Sequence, residues 1–345
     1  MKKIISLIAL MVFGLTQAQT ILIVDNNNNI DTSPSHMYNT FNAAIAAASN
    51  GDIIYVQPSV TNYGNVNISK EVSVYGMGHT PELNAGRSAT FGSITISNSN
   101  VKLAGIQSNN AINITGTVQD IIIENNSLNN VYLNSAVTTN LTLQGNIIDG
   151  NLGLSPNNNN SVNTTITHNF FETTPQNGIS YLNSTTIFNN NIVYYAGVTT
   201  TAMFLNPNDL VAQNNIFVST SSFNGTNWQS GGTPILFNNC MSYSFNGITL
   251  GALNGTGNFN NVNPQFIIIP GTNPAFSATN NYNIGATALG TDGNDVGLFN
   301  GSFDFDMRGY PTELPYLKEM SISNNMVPAG SNLNVNLKAN ANKTN

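Results

Sequence analysis

The chain has 345 residues, a formal net charge of −7, one cysteine and only 7% charged side chains, against a typical ~25%. Sparse charge of negative sign excludes the basic surface that nucleic acid or an anionic membrane requires. A lone Cys240 closes no internal disulfide, so stability must come from packing and hydrogen bonding.

Residues 1–18 read as a signal peptide: Lys2 and Lys3 precede the apolar run Ile4 to Leu15, and Thr16-Gln17-Ala18 offers small residues for cleavage. About a dozen apolar residues do not span a ~30 Å bilayer, so the mature chain is expected to be exported, to the extracellular space or the cell surface, with no membrane insertion. Tyr38, Phe41, Ile45 and Ala48 then share one helical face, ended by Asn50-Gly51 before the strand Ile53 to Val56. A short helix there would cap the open end of a repeat array.

The middle of the chain repeats a hexad of apolar residue, two variable residues, Asn, one variable residue and a second apolar residue. Copies start at Ile123, Leu143, Ile166, Ile187, Val211 and Leu236, which gives steps of 20, 23, 21, 24 and 25 residues. Their asparagines are Asn126, Asn146, Asn169, Asn190, Asn214 and Asn239. A period near 22 with β-type alternation fits three short strands and three turns per coil, a solenoid rung. Asn suits a tight corner, and amides stacked at ~4.8 Å can hydrogen-bond along the stack. His168, at a variable position beside Asn169, is read as structural.

Around this frame, Gly51-Asp52-Ile53-Ile54-Tyr55-Val56 and Ile68-Ser-Lys70-Glu-Val72-Ser-Val74-Tyr-Gly76 resemble the first coil of the pectin-lyase-like parallel β-helix proteins. Gly257-Asn258-Phe259, Asn263-Pro264-Gln265-Phe266 and Gly290 to Gly297 resemble that group's closing coil. The resemblance implies an all-β, right-handed parallel β-helix with an N-terminal capping helix and a C-terminal β-hairpin tail. The expected division is signal peptide 1–18, β-helix 19–301, linker 302–315 and β tail 316–345. The tail alternates Met320-Ser-Ile322 and Leu333-Asn-Val335-Asn-Leu337, a hairpin too short to stand alone. Packing on the last coil as a cap is favoured over docking to a partner.

The family holds lyases, hydrolases and non-enzymes, so activity must be argued from residues. A uronate lyase, by the resemblance, uses Lys or Arg as base, often with calcium, yet no Lys or Arg lies between Lys102 and Arg308. A glycosidase needs two carboxyl groups. Asp149 and Glu172 fall at the same hexad offset and are the best such pair. Asp292 and Asp295 offer oxygen ligands to calcium, though a Gly-rich turn explains the same tract better; no other cofactor is expected. His36, His79 and His168 share no metal-ligand spacing. Trp228, Tyr194 and Tyr195 stand among Asn, Ser and Thr, and aromatics so placed hold neutral sugars by ring stacking; Trp228 reads equally well as core. The expectation is a non-catalytic surface or matrix module that binds an extracellular neutral glycan or a cell-surface protein. The alternative is a polysaccharide-degrading lyase or glycoside hydrolase on the same fold.

Overall fold

The computed structural model describes residues 19–341 apart from 84–85, 155–159, 175, 198–201, 300, 302, 324–325 and 328–329. Residues 1–18, expected as a signal peptide, lie outside the described residues. Twenty-five strands between Ile21 and Asn260 form one parallel sheet, wound into an all-β parallel solenoid of about nine turns. The stack ends at Gly255–Thr256 and Phe259–Asn260, well before residue 301, because the chain then leaves the coils and turns back along them.

The single helix among the described residues, Phe41–Ala47, is capped by Thr40, whose side chain accepts from the Ala43 amide at 3.3 Å. Phe41, Ala44 and Ile45 are buried against the first strands. Lys70 Nζ donates to the carbonyls of Ala46 and Ala48, neutralising the helix's C-terminal end. Tyr38, expected on this helix, lies in the edge strand Met37–Tyr38, which pairs with Ile21–Val24.

The coils from Gly105 to Gly257 turn a sharp corner on a residue in the left-handed conformation, and from Asn125 to Asn214 that residue is followed by a buried amide. The left-handed positions are Gly105, Asn125, Gly145, His168, Asn190, Asn214, Asn239 and Gly257, with φ between 52° and 72°. The amides are one residue on: Asn126, Asn146, Asn169, Asn191 and Asn215, all 4% exposed or less. In the last three hexads the expected ladder is therefore one residue out of register. Strand pairing sets Ile166 beside Phe188, Phe188 beside Ala212 and Ala212 beside Phe237. Asn190, Asn214 and Asn239 belong to the corner column, and Ile187, Val211 and Leu236 point outward. A one-residue slip exchanges the faces of a strand, and here consecutive asparagines and consecutive apolar residues leave both registers open to a reader of the sequence.

The amide column is continuous. Asn126 Nδ2 donates to Asn146 Oδ1 (3.1 Å), Asn146 to Asn169 (3.0 Å), Asn169 to Asn191 (3.1 Å) and Asn191 to Asn215 (3.0 Å). Each Oδ1 also accepts the backbone amide of the coil before it. Every side-chain amide of this column thus finds a partner. Inside the coils Phe171, Phe188, Phe204, Phe217 and Phe237 pack edge to edge, with centroids 5.5–6.1 Å apart.

A second apolar layer lies outside the coils. Ile147, Phe170, Ile192, Ile216 and Met241 stack in register on an outer face. They are covered by Tyr282, Ala288, Val296, Leu298 and Phe305. Tyr282 lies in the small antiparallel pair Phe266–Ile268 and Asn281–Ile284, and the other covering residues belong to a strap that follows this pair and runs along the corner column towards the first coils. Asn239 Nδ2 donates to Leu289 O, Asn214 Oδ1 accepts from the Thr291 amide, and Asn190 Nδ2 donates to Gly297 O. Phe303 then reaches His168 and Gly145, where any Cβ would sit 2.6 Å from its ring. Asn125 Nδ2 donates to Tyr310 O. The stretch expected as a linker is the end of this strap: Thr312 donates to Glu124, and Lys102 bridges Glu124 at 2.8 Å and Glu313.

The tail forms the expected hairpin, Pro315–Ile322 paired antiparallel with Val335–Ala341. Its position differs from the favoured one. Most of it is exposed, and Tyr316 stacks on Tyr310 of the strap at 3.8 Å, beside the early coils. It does not cap the last coil.

Candidate functional site

Three strands of successive coils, Ile179–Ser180, Phe204–Leu205 and Gln229–Ser230, pair in parallel, and an open depression lies at each end of them. On one side lies a groove of about 640 Å³ lined by Asn160, Tyr181, Asn206, Asn208 and Thr233 among others, within the usual range for small-ligand sites. On the other side lies a depression of about 340 Å³ lined by Gln176, Asn177, Asn227 and Gln229. The turn Ser230–Thr233 walls both, with Ser230 and Gly231 on one and Gly232 and Thr233 on the other.

The groove follows from local backbone. Tyr181 and Asn206 leave their strands in the left-handed conformation, φ 59° and 45°. Their amides pair with Leu205 O and Ser230 O at 2.8 Å each, which ties the corner of each coil to the next. Gly232 passes so close to Pro207 that a Cβ would lie 2.0 Å from the Pro207 carbonyl, so only glycine allows the wall to fold in at this point. Tyr181 is half buried, its ring partly packed on the core. The Asn177 Oδ1 is buried without a hydrogen-bond partner, an acceptor suited to a ligand hydroxyl. Among the described residues no charged side chain lines either depression.

The residues singled out from sequence lie elsewhere. Trp228 is 8% exposed, stacked on Phe217 and Phe223, and its Nε1 donates to Gly251 O at 3.0 Å. Tyr195 is fully buried, with its hydroxyl on Ala202 O. Neither ring offers a face to a sugar. Tyr194 is half buried against the outer apolar layer, its hydroxyl paired with Thr220 Oγ1. Asp292 accepts from the amide and side chain of Asn294, closing a turn, and Asp295 bridges Leu289. Among the described residues no three His, Cys, Asp or Glu side chains converge as metal ligands.

Asp149 and Glu172 are direct partners on adjacent strands, ~4.8 Å apart in backbone. Burial, then the Asp149 charge, pushes the Glu172 carboxyl above its ordinary range. One of its oxygens accepts at 3.2 Å from the amide of Phe276, in the connection between Phe266–Ile268 and Asn281–Ile284, so the pair lies beside the outer apolar layer and lines neither depression. Glu124, 2% exposed, is consumed by Lys102, Gln144 and Thr312. His168 is buried at the seam, hydrogen-bonded through Nδ1 to Thr167 at 2.8 Å.

Sequence reasoning placed Tyr181 among the aromatics suited to stacking on a sugar and missed Asn206 and Asn208. The available signal was spacing: Tyr181 and Asn206 are 25 residues apart, the coil step found at that end of the chain. Comparison with protein-family models, with curated proteins and with solved structures gives no match in any of the three.

Proposed function

We propose that this chain is an exported β-helix module of the pectin-lyase-like kind that holds a neutral glycan chain in the depressions flanking Ile179–Ser180, Phe204–Leu205 and Gln229–Ser230. One observation carries the reading: the described residues that line the two depressions offer amides, hydroxyls and Tyr181, with no charged side chain among them. Neutral sugars need hydroxyl partners and an apolar ring face, and a uronate would need a cation to offset its charge. The first-coil motif around Asp52 and Lys70 supports the family likeness, and the lack of a catalytic pair among the described residues of either depression supports binding without turnover. The test is titration with soluble neutral and uronic oligosaccharides. Neutral chains should bind, and Tyr181→Asn, which keeps a residue tolerant of the left-handed backbone, should weaken binding by ~10-fold or more. Preference for uronates, or release of new reducing ends, would replace this reading. The paired carboxyls and raised Glu172 favour the second reading, a glycoside hydrolase. Under that reading Glu172→Gln abolishes product release.

A further inference from the structure

Two apolar surfaces of this chain have nothing laid over them among the described residues. One is the outward column Ile187, Val211 and Leu236, register partners on successive coils that are 50%, 38% and 47% exposed. The other is one face of the C-terminal hairpin. Its pairing places Leu317 with Ala339, Met320 with Leu337 and Ile322 with Val335 on that face. Glu319, Ser321, Asn336 and Lys338 lie on the opposite face. Tyr316 belongs to the polar face and stacks on the strap, so the apolar face is the one left uncovered. A two-stranded hairpin cannot bury such a face on itself.

We infer that two copies of this chain pair about a two-fold axis, the apolar hairpin face of each covering the Ile187–Val211–Leu236 column of the other. The positions fit one symmetry operation. The hairpin leaves the body just after Glu313, which is held by Lys102. Lys102 stands in the same outward column as Val211, through the partners Ile122, Thr142, Thr165 and Ile187. Five rungs separate the two, or ~24 Å at ~4.8 Å per rung. An axis midway, between Thr142 and Thr165, sets each hairpin over the other copy's column at the same time.

Charge permits the contact. The protein carries a net −7, yet the paired residues of the hairpin face and the three column residues are uncharged, with Lys318 set apart at the bulge between Leu317 and Glu319, and uncharged threonines meet at the axis. Lys102 is neutralised by Glu124 and Glu313. Area selects this arrangement over simpler ones. Seven or eight residues on two strands present a face of roughly 250 Å², so one hairpin–column contact buries about 500 Å² in all. Symmetry doubles that to about 1,000 Å², the lower bound for a specific interface. Pairing column to column or hairpin to hairpin would bury half as much and fall short. A self-complementary surface of this type closes on two copies and stops.

Light scattering of the chain at several concentrations tests the proposal, with a mass of two chains expected. Val211→Lys and Leu337→Lys should each reduce it to one, with unchanged circular dichroism. Mixing a Val211→Cys chain with a Leu337→Cys chain under oxidation should give a mixed disulfide between chains; Cys240 is fully buried and does not interfere. A mass of one chain at every concentration overturns the pairing and leaves both surfaces to a different occupant. A dimer that survives both lysine variants, or cross-links 211 to 211, overturns the geometry.

Discussion

Two columns of corner residues run through the middle and later coils of the solenoid, one position apart in sequence, and they face opposite tasks. The inner column, Asn126 to Asn215, joins rung to rung through its amides. The outer column, Asn125 to Asn239, sits in the left-handed conformation and holds the strap through Asn125, Asn190, Asn214 and Asn239. Asparagine serves both because it tolerates φ > 0 and because its amide both donates and accepts. The comparison separates what builds the coils from what fastens a cover to them.

The largest effect should come from breaking the inner column. Asn169 is fully buried; its Oδ1 accepts from Asn146, and its Nδ2 donates to Leu143 O and Asn191 Oδ1. Asn169→Leu strands at least two buried polar groups and should cost about 3–5 kcal/mol, seen as a large fall in melting temperature of the whole solenoid. The outer column should respond less: Asn190→Leu loses a bond of 3.4 Å to Gly297 O and disturbs the strap. Equal losses at 169 and 190 would show that the two columns are not distinct.

Acid should act on the strap first. His79 is 2% exposed beneath Gly309, with Nδ1 on Thr80 and Nε2 unpartnered. Burial, with Arg308 adding repulsion, pushes its pKa down to about 3, whereas the ring in an unfolded chain titrates near ~6.5. Between those values the unfolded chain binds a proton that the folded one refuses. Stability is therefore complete above ~6.5 and falls as the pH drops towards the folded value, by about 3 kcal/mol at pH ~4. Hydrogen exchange of the backbone near Arg308 and Gly309 should accelerate in that window while the coil interior stays protected. In His79→Phe the acceleration should disappear. A variant with the same acid slope would move the sensitivity elsewhere.

The period, the strand type and the asparagine corner were legible in the sequence because each depends on local chemistry repeated many times. The register of the later coils was not. Ile187-Phe188-Asn189-Asn190-Asn191 satisfies two alignments equally, and the choice is made by neighbours such as Phe204 and Phe217, which no window contains. Long-range cover was hidden for a related reason. Asp304 to Pro315 looks like a linker until Phe305 and Tyr310 are found 6% and 4% exposed against coils more than a hundred residues earlier. Trp228 deceived in the opposite direction: its loop-like surroundings of Asn, Gly and Ser close over an aromatic core.

The smallest effect tests whether the inner column is one repeating device. At Cys240 the column changes residue: the thiol lies 3.4 Å from Ala212 O, the place where an amide Nδ2 would donate, and Asn215 Nδ2 points at Sγ from 3.8 Å. The next coil resumes the pattern, with Asn258 Oδ1 accepting from the Cys240 amide at 2.9 Å and Asn258 Nδ2 reaching Phe237 O. Burial pushes the thiol pKa up to about 12, so the group stays neutral and is a weak partner on both sides. Cys240→Asn restores an acceptor for Asn215 and a donor for Ala212 O. It should stabilise the protein by about 1 kcal/mol, read as a small rise in melting temperature. A fall instead would mean that the coil between Phe237 and Met241 is too tightly packed to accept the amide, and that the sulfur is there because its rung is narrower than the others.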